Sequence, residues 1–134
     1  MATPDNETKQ PAREPHAAAG LLIVEDDEGL AALMRRRLRR ELGLACRIAH
    51  TGKDGIELAR EDPHVLMIVD YGLPDMSAED VAKTLRDRGA CPEYVVITGQ
   101  GDETLAVEMM KGGARDYLVK DADFLDRLPA MVER

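Results

Sequence analysis

Short apolar runs alternate with amphipathic stretches five times along this chain, and this alternation limits the possible folds more than any other feature. The runs are strand candidates at residues 21–25, 45–49, 65–70, 94–98 and 116–119. The run at 65–69 has no alternating polar residues, which is typical of a strand buried on both faces. The sequence therefore predicts an α/β fold, a doubly wound five-stranded parallel sheet with helices on both faces.

The stretches between the strands carry signals for helices. The first has apolar residues at helical spacing, and Gly43 is suited to end it. Thr51 with Asp54, and Ser77 with Asp80, resemble capping boxes, while Asp102 can cap a fourth helix. A fifth helix is expected from about residue 123, with Pro129 as an interruption unless its first turn lies there.

Composition limits the classes of function. The 134 residues suffice for one core, and the net charge of -8 argues against nonspecific binding to nucleic acid or anionic membranes. The longest apolar runs are too short to span a bilayer. Cys46 and Cys91 lie far apart with no metal-like or redox-like spacing, which favours reduced thiols in a cytoplasmic protein.

The first 19 residues differ in composition from the rest. Three prolines stand among polar residues and a short Ala run, which predicts a disordered N-terminal tail before a single domain at 20–134. The segment lacks the apolar run of a signal peptide.

Polar side chains follow four of the five predicted strands. The first strand ends in Glu25 and Asp26, the third in Asp70, the fourth in Thr98, and the fifth is followed by Lys120. In a doubly wound sheet, functional groups lie beyond the carboxyl ends of the strands, so these side chains should converge on one edge.

This set of residue types suits a cation and a phosphoryl group. Two carboxylates about 4 Å apart repel by about 4 kcal/mol at an effective dielectric near 20, so a compensating positive charge is expected. Mg²⁺ prefers hard oxygen ligands and often binds one or two carboxylates together with a phosphate. A carboxylate beside a cation and a lysine is also a competent nucleophile toward phosphorus.

Four segments resemble the receiver domains of response regulators. They are Leu-Leu-Ile-Val-Glu-Asp-Asp-Glu at 21–28, Val-Asp-Tyr-Gly-Leu-Pro-Asp-Met-Ser at 69–77, Val-Val-Ile-Thr-Gly at 95–99 and Asp-Tyr-Leu-Val-Lys at 116–120. The resemblance extends from residue 20 to about 132. It implies a flavodoxin-like (βα)5 fold with the strand order 2-1-3-4-5, which is the order of a chemotaxis receiver.

The resemblance also implies a role for each site residue. Asp70 would be the phosphoacceptor and a metal ligand, with Asp26 as a direct ligand of Mg²⁺ or Mn²⁺ and Glu25 as a ligand through water. The backbone carbonyl of Gly72 would complete the protein's share of the coordination. Thr98 and Lys120 would contact the phosphoryl group, and Tyr117 with Thr98 would form the switch.

Less specific interpretations remain for several of these residues. Thr98 could only cap a loop, Lys120 could be a solvated lysine, and Tyr117 could be core. Asp27 and Glu28 are explained by the favourable effect of acids at a helix start. The five arginines between 35 and 40 form either a solvated helix face or a docking face for a histidine-bearing helix bundle. His16, His50 and His64 form no spaced set and are interpreted as incidental.

Three other functions are alternatives to a receiver domain. A haloacid-dehalogenase-type phosphatase needs a second Asp two positions after the nucleophile, where this chain has Gly72. A flavin module needs a phosphate-binding loop rich in Gly, Ser and Thr after the first strand, where four acids stand. A degenerate receiver that acts only as an interaction module is disfavoured, because the site residues are intact: Asp26, Asp70, Thr98 and Lys120.

The sequence departs from the family at two places. Asp121 stands where the family usually has a proline after the lysine, and a cis non-proline bond costs about 2.5–4 kcal/mol, so a trans Lys120–Asp121 bond is predicted. Gly72 and Gly99 leave space near the phosphoryl group, which predicts a short-lived phosphoryl state.

The resemblance implies partners rather than substrates. The domain would receive its phosphoryl group from a histidine kinase or a histidine phosphotransfer domain and would catalyse only its own phosphoryl transfer and dephosphorylation. Direct binding to nucleic acid or to a membrane is not expected. A homodimer could form through the face made by the fourth helix, fifth strand and fifth helix. The chain could stand alone or be a receiver cut from a longer protein such as a hybrid histidine kinase.

Overall fold

A single parallel sheet organises the molecule. A computed structural model describes residues 20–99 and 101–134. The five strands are β1 Leu21–Val24, β2 Cys46–Ala49, β3 Leu66–Asp70, β4 Tyr94–Thr98 and β5 Asp116–Val119. They are all parallel and follow the order β2-β1-β3-β4-β5, which confirms the predicted architecture and strand order. The predicted N-terminal tail at 1–19 lies outside the described residues.

Helices cover both faces of this sheet. They are α1 Glu28–Leu42, α2 Gly52–Glu61, α3 Ala78–Asp87, α4 Glu103–Lys111 and α5 Phe124–Glu133. One core layer, around Leu22 and Val24, packs against α2, α3 and α4; the other, around Leu21 and Ile23, packs against α1 and α5. Because successive residues of a strand point to opposite faces, β1 contributes alternately to the two layers.

The helix starts that the sequence predicts are present. The Thr51 hydroxyl accepts a hydrogen bond from the Asp54 backbone N–H at 3.1 Å, and Ser77 and Asp80 form a reciprocal capping box. Asp102 accepts from the Thr104 N–H at 2.8 Å, and Asp27 caps α1 by accepting from the Leu30 N–H at 3.0 Å. These side chains satisfy backbone donors that have no partner inside the helix.

The C-terminus of α1 also follows the prediction. Gly43 ends the helix with φ 68°, a left-handed conformation that glycine adopts without steric cost.

The predicted interruption of the fifth helix at Pro129 is wrong, because α5 continues through this residue. A proline has no N–H, so the carbonyl of Leu125 one turn earlier loses its helical donor. Arg37 of α1 supplies a substitute: its Nη1 donates to the Leu125 carbonyl at 3.1 Å and to Asp126 Oδ1 at 2.9 Å. Arg37, one of the five arginines between residues 35 and 40, therefore connects α1 to α5.

Two further features concern the cysteines and the length of the helices. Cys46 and Cys91 are free thiols, and burial raises the pKa of Cys46 to about 11. Within residues 20–99 and 101–134, none of the helices has the length and apolar character needed to cross a membrane.

Candidate functional site

The carboxyl ends of β1, β3, β4 and β5 meet at one edge of the sheet. Glu25 and Asp26 follow β1, Asp70 ends β3, Thr98 ends β4, and Lys120 follows β5. The strands are neighbours, and the register pairs Val24 with Val69 and Thr98 with Val119. The predicted convergence is therefore present.

The Lys120 ammonium group lies between two buried carboxylates. Its Nζ atom is 2.9 Å from Glu25 Oε1 and 3.0 Å from Asp70 Oδ1. Glu25 has no exposed surface, and Asp70 is 5% exposed. Buried charges of this kind need a partner, and one ammonium group here serves two carboxylates. The site therefore keeps an excess of negative charge that a cation can neutralise.

Burial dominates the ionisation of the two acids. Desolvation raises the pKa of Glu25 and of Asp70 above their ordinary values, although the hydrogen bonds from Lys120 act in the opposite direction. Asp26 raises the pKa of Asp70 further. For Lys120, desolvation lowers the pKa, but the hydrogen bonds to Glu25 and Asp70 outweigh it, and its pKa is raised. Lys120 thus remains an ammonium group at neutral pH.

Three carboxylates form an acidic pocket that fits a hard cation. One oxygen from each of Glu25, Asp26 and Asp70 lies within 4.8 Å of the others. Asp26 is exposed, so the pocket opens to solvent. Gly72 lies two residues beyond Asp70 and is also exposed, and a Cβ atom there would meet nothing within 4 Å. Oxygen donors of this type suit Mg²⁺ or Mn²⁺.

Thr98 and Lys120 are joined through the backbone. Thr98 is 4% exposed at the end of β4, and its carbonyl accepts a hydrogen bond from the Lys120 N–H at 2.7 Å. Tyr117 lies in β5, three residues before Lys120, where it is partly buried and packs against the core layer under α2, α3 and α4. Tyr117 therefore joins the strand that precedes Lys120 to this core layer.

Sequence reasoning missed Asp75, which fixes the loop that follows β3. Its Oδ1 accepts from the Gly52 N–H at 2.8 Å and its Oδ2 from the Lys53 N–H at 2.9 Å, joining the loop to the start of α2. Desolvation acts to raise the pKa of Asp75, but these backbone donors outweigh it and lower the pKa. No local pattern predicts a contact over more than 20 residues.

His50, which sequence reasoning dismissed as incidental, also supports the site. Its Nδ1 atom lies 2.9 Å from the backbone carbonyl oxygen of Glu25, where an Nδ1–H group donates to it. The contact steadies the segment that carries the first two acids of the pocket.

Comparison with known proteins identifies the family. The profile of the response regulator receiver domain matches residues 21–133. The chain therefore belongs to the response regulator receiver domain family, and it is a receiver domain of two-component signalling.

Relatives of known name agree with this assignment. The chain is 35% identical over 136 residues to the acid tolerance regulatory protein ActR of Rhizobium meliloti (strain 1021), covering 96% of this chain and 70% of ActR. It is 36% identical over 135 residues to the methanogenesis regulatory protein FilR1 of Methanothrix harundinacea (strain 6Ac), covering 97% of this chain and 30% of FilR1. The chain thus spans less than a third of FilR1.

Solved structures share the fold. The signal receiver domain of a LuxO repressor protein from Vibrio parahaemolyticus is 32% identical with a TM-score of 0.79, covering 86% of this chain and 87% of that one. A receiver domain of Francisella is 22% identical with a TM-score of 0.77, covering 86% of this chain and 93% of that one, and shows the fold alone.

Receiver domains bind Mg²⁺ in an acidic pocket and are phosphorylated by histidine kinases. Glu25, Asp26 and Asp70 form such a pocket here.

Proposed function

We propose that Asp70 accepts a phosphoryl group from a histidine kinase or a histidine phosphotransfer domain, with Mg²⁺ or Mn²⁺ in the acidic pocket. The observation that carries this proposal is the position of the Asp70 carboxylate, 3.0 Å from the Lys120 ammonium and clustered with Glu25 and Asp26. A carboxylate beside an ammonium group and a bound cation is a nucleophile toward phosphorus, because the two positive charges offset the negative charge of the product.

The transfer forms one bond and breaks another. An oxygen of the Asp70 carboxylate attacks phosphorus, and the bond between phosphorus and the donor imidazole nitrogen breaks with its electron pair remaining on the nitrogen. The product is an acyl phosphate on Asp70. Lys120 stays beside the reacting carboxylate and balances the charge on the phosphoryl oxygens, while the Thr98 hydroxyl donates to one of them.

The metal would be held by Asp26, Asp70 and the Gly72 carbonyl, with Glu25 acting through water. When bound, Mg²⁺ supplies positive charge against the phosphoryl oxygens and helps to align the donor. Glu25 is already bonded to Lys120 through Oε1, which agrees with an indirect role toward the metal.

Phosphorylation would then act as a switch. The added charge on Asp70 draws Thr98 and Lys120 inward, and Tyr117 repacks against its neighbours in the core layer. The domain catalyses only its own phosphoryl transfer and dephosphorylation. The result of the switch is a change in which proteins the domain binds.

Direct binding of this domain to nucleic acid or to membranes is not expected. SrrA of Staphylococcus aureus, a relative 35% identical over 100 residues, is named a transcriptional regulatory protein, so the absence of nucleic-acid binding stays a prediction for this chain.

Intact mass after incubation with acetyl phosphate and Mg²⁺ tests the proposal. The wild-type protein should gain the mass of one phosphoryl group, and Asp70→Asn should gain none. Omitting Mg²⁺ with a chelator present should abolish the gain in the wild type.

Asp87→Asn is the matched control. Asp87 is an exposed aspartate at the end of α3, paired with Lys83 at 3.1 Å, and the variant should be phosphorylated as the wild type is. A phosphoryl group on Asp70→Asn, or none on the wild type, would refute Asp70 as the acceptor.

A further inference from the structure

The loop after β5 carries Lys120 without the proline that the family usually has next. Asp121 stands there, and the Lys120–Asp121 bond is trans, as predicted. A proline restricts the backbone and provides no N–H, whereas Asp121 is free in φ and has a donor. The position of Lys120 must therefore be fixed by other contacts in this chain.

Asp121 makes contacts through its backbone N–H and its carboxylate that a proline could not make. Its N–H donates to the Val119 carbonyl at 2.9 Å, and its Oδ1 accepts from the Asp123 N–H at 3.0 Å. Its carbonyl accepts from the N–H of Phe124, a residue 2% exposed that anchors the start of α5 in the core. These hydrogen bonds fold the loop into a tight turn directly after Lys120.

Arg127 of α5 joins the two residues that flank Lys120. Its Nη2 atom is 2.8 Å from Asp121 Oδ1 and 3.3 Å from the Val119 carbonyl oxygen. On the other side, the Lys120 N–H donates to the Thr98 carbonyl at 2.7 Å. Hydrogen bonds thus fix the chain at Val119, at Lys120 itself and at Asp121.

We propose that Asp121 and Arg127 position Lys120 for phosphoryl transfer, taking over the part of the missing proline. The proposal rests on the function assigned to Asp70 and Lys120 above. Asp121 and Arg127 are positioning residues and do not touch the phosphoryl group. They act through the Lys120 backbone, from which a flexible four-carbon stem must bring the ammonium to both Glu25 and Asp70.

Positioning matters here because phosphoryl transfer depends mainly on alignment and charge. A misplacement of about 1 Å can reduce a rate by as much as 100-fold. The Asp121–Arg127 pair is about half exposed on both sides, so its direct contribution to stability should be small. A loss of the pair should therefore affect the rate of transfer far more than the folding of the domain.

Single substitutions test the pair. Asp121→Ala and Arg127→Gln should each slow phosphorylation by acetyl phosphate about tenfold, because each removes the contact between the two side chains, with Mg²⁺ affinity and the urea midpoint close to those of the wild type. The reversed pair, Asp121→Arg with Arg127→Asp, should recover part of the rate. Arg134→Gln is the matched control, because Arg134, the residue after α5, makes a 2.8 Å ion pair with Asp116 at the opposite end of β5. It should leave the rate unchanged.

A double-mutant cycle separates positioning from a general structural role. In a Lys120→Ala background, Asp121→Ala should cause no further loss of rate if Asp121 acts through Lys120. Additive losses in that background, or wild-type rates in both single variants, would overturn the proposal.

The same assay separates this inference from the function on which it rests. Failure of the wild type to be phosphorylated, with Asp70→Asn as reference, would overturn both. Normal phosphorylation of the wild type together with wild-type rates in Asp121→Ala and Arg127→Gln would overturn only the positioning role.

Discussion

Two adjacent aspartates after β1 have the same charge and different tasks, and position alone separates them. Asp26 lies in the acidic pocket with Glu25 and Asp70, whereas the Asp27 side chain turns back to cap α1. Identical chemistry one residue apart thus contributes to the acidic pocket in one case and to helix initiation in the other. This difference gives a test at the level of single residues.

Asp26→Asn should lower the affinity for Mg²⁺ at least about tenfold, because the pocket loses a charged oxygen ligand. Isothermal titration calorimetry measures the change directly. Asp27→Asn is the control: asparagine is as good a cap as aspartate, so both Mg²⁺ affinity and stability should change little. Equal affinities in Asp26→Asn and the wild type would remove Asp26 from the metal site.

His64 makes stability depend on pH. It is 9% exposed, and neither ring nitrogen has a hydrogen-bond partner among the described residues. The negative charge of Asp62, and to a smaller extent its backbone, favour the protonated ring. Desolvation first, and then the charge of Arg47, lower the pKa of His64 below its ordinary value of 6.5. The folded state therefore holds a neutral ring where the unfolded state takes up a proton.

The sign follows from proton uptake. Since the unfolded state binds more protons below the ordinary pKa, the free energy of unfolding should fall as pH drops from 6.5 toward the lowered folded value. Between about pH 7.5 and about pH 5.5, the free energy of unfolding should fall more in the wild type than in His64→Leu, by at most about 1.4 kcal/mol. Urea unfolding at both pH values measures this, and parallel losses in the two proteins would contradict it.

At the scale of elements, the sequence predicted what local patterns specify and missed what distant contacts specify. Apolar runs located every strand to within one residue at either end, and Thr51, Ser77 and Asp102 marked helix starts, because capping is a contact over two or three residues. The convergence of strand ends was also predictable, since it follows from a parallel sheet. Contacts such as that of Asp75 with Gly52 depend on how loops meet, which no single-segment pattern records.

The contact between α1 and α5 is the other feature that local patterns could not predict. Pro129 signals a broken helix, yet Arg37 from 88 residues away donates to the carbonyl of Leu125 that the proline leaves without a helical donor. A contact from another helix thus replaces the hydrogen bond that the proline cannot make. The effects of substitutions at Arg37 and Pro129 on the free energy of unfolding should therefore be coupled.

Arg37→Ala should lower the free energy of unfolding by about 1–2 kcal/mol, because it leaves the Leu125 carbonyl without a donor and removes the ion pair with Asp126. Urea unfolding provides the measurement. Arg36→Ala is the control, since Arg36 is exposed and makes no hydrogen bond or ion pair with the residues that the structure describes.

The coupling between Arg37 and Pro129 is measured by making Arg37→Ala in a second parent protein. In Pro129→Ala, the restored N–H can donate to Leu125, so Arg37→Ala should cost measurably less than in the wild type. An equal cost in both backgrounds would show that Arg37 acts without regard to the proline.

Considering the molecule as a whole, the exposed apolar side of α4 is a candidate surface for binding a partner after phosphorylation. Val107 and Met110 are 51% and 46% exposed and lie three residues apart on the helix, so they share a face. Tyr117 of β5 packs against the core layer to which α4 contributes Met109, which connects this face to the site. A homodimer through α4, β5 and α5 would bury these side chains.

Size-exclusion chromatography with beryllofluoride and Mg²⁺ tests this homodimer. Beryllofluoride mimics the phosphoryl group on Asp70, and the activated wild type should elute with about twice the mass of the untreated protein, because burial of exposed apolar area favours association. Met110→Lys should place a charge in the contact and keep the treated protein monomeric. Leu33→Lys is the matched control, since Leu33 is 45% exposed on α1, away from this face, and its variant should dimerise as the wild type does. A treated wild type that remains monomeric at high concentration would exclude this form of output.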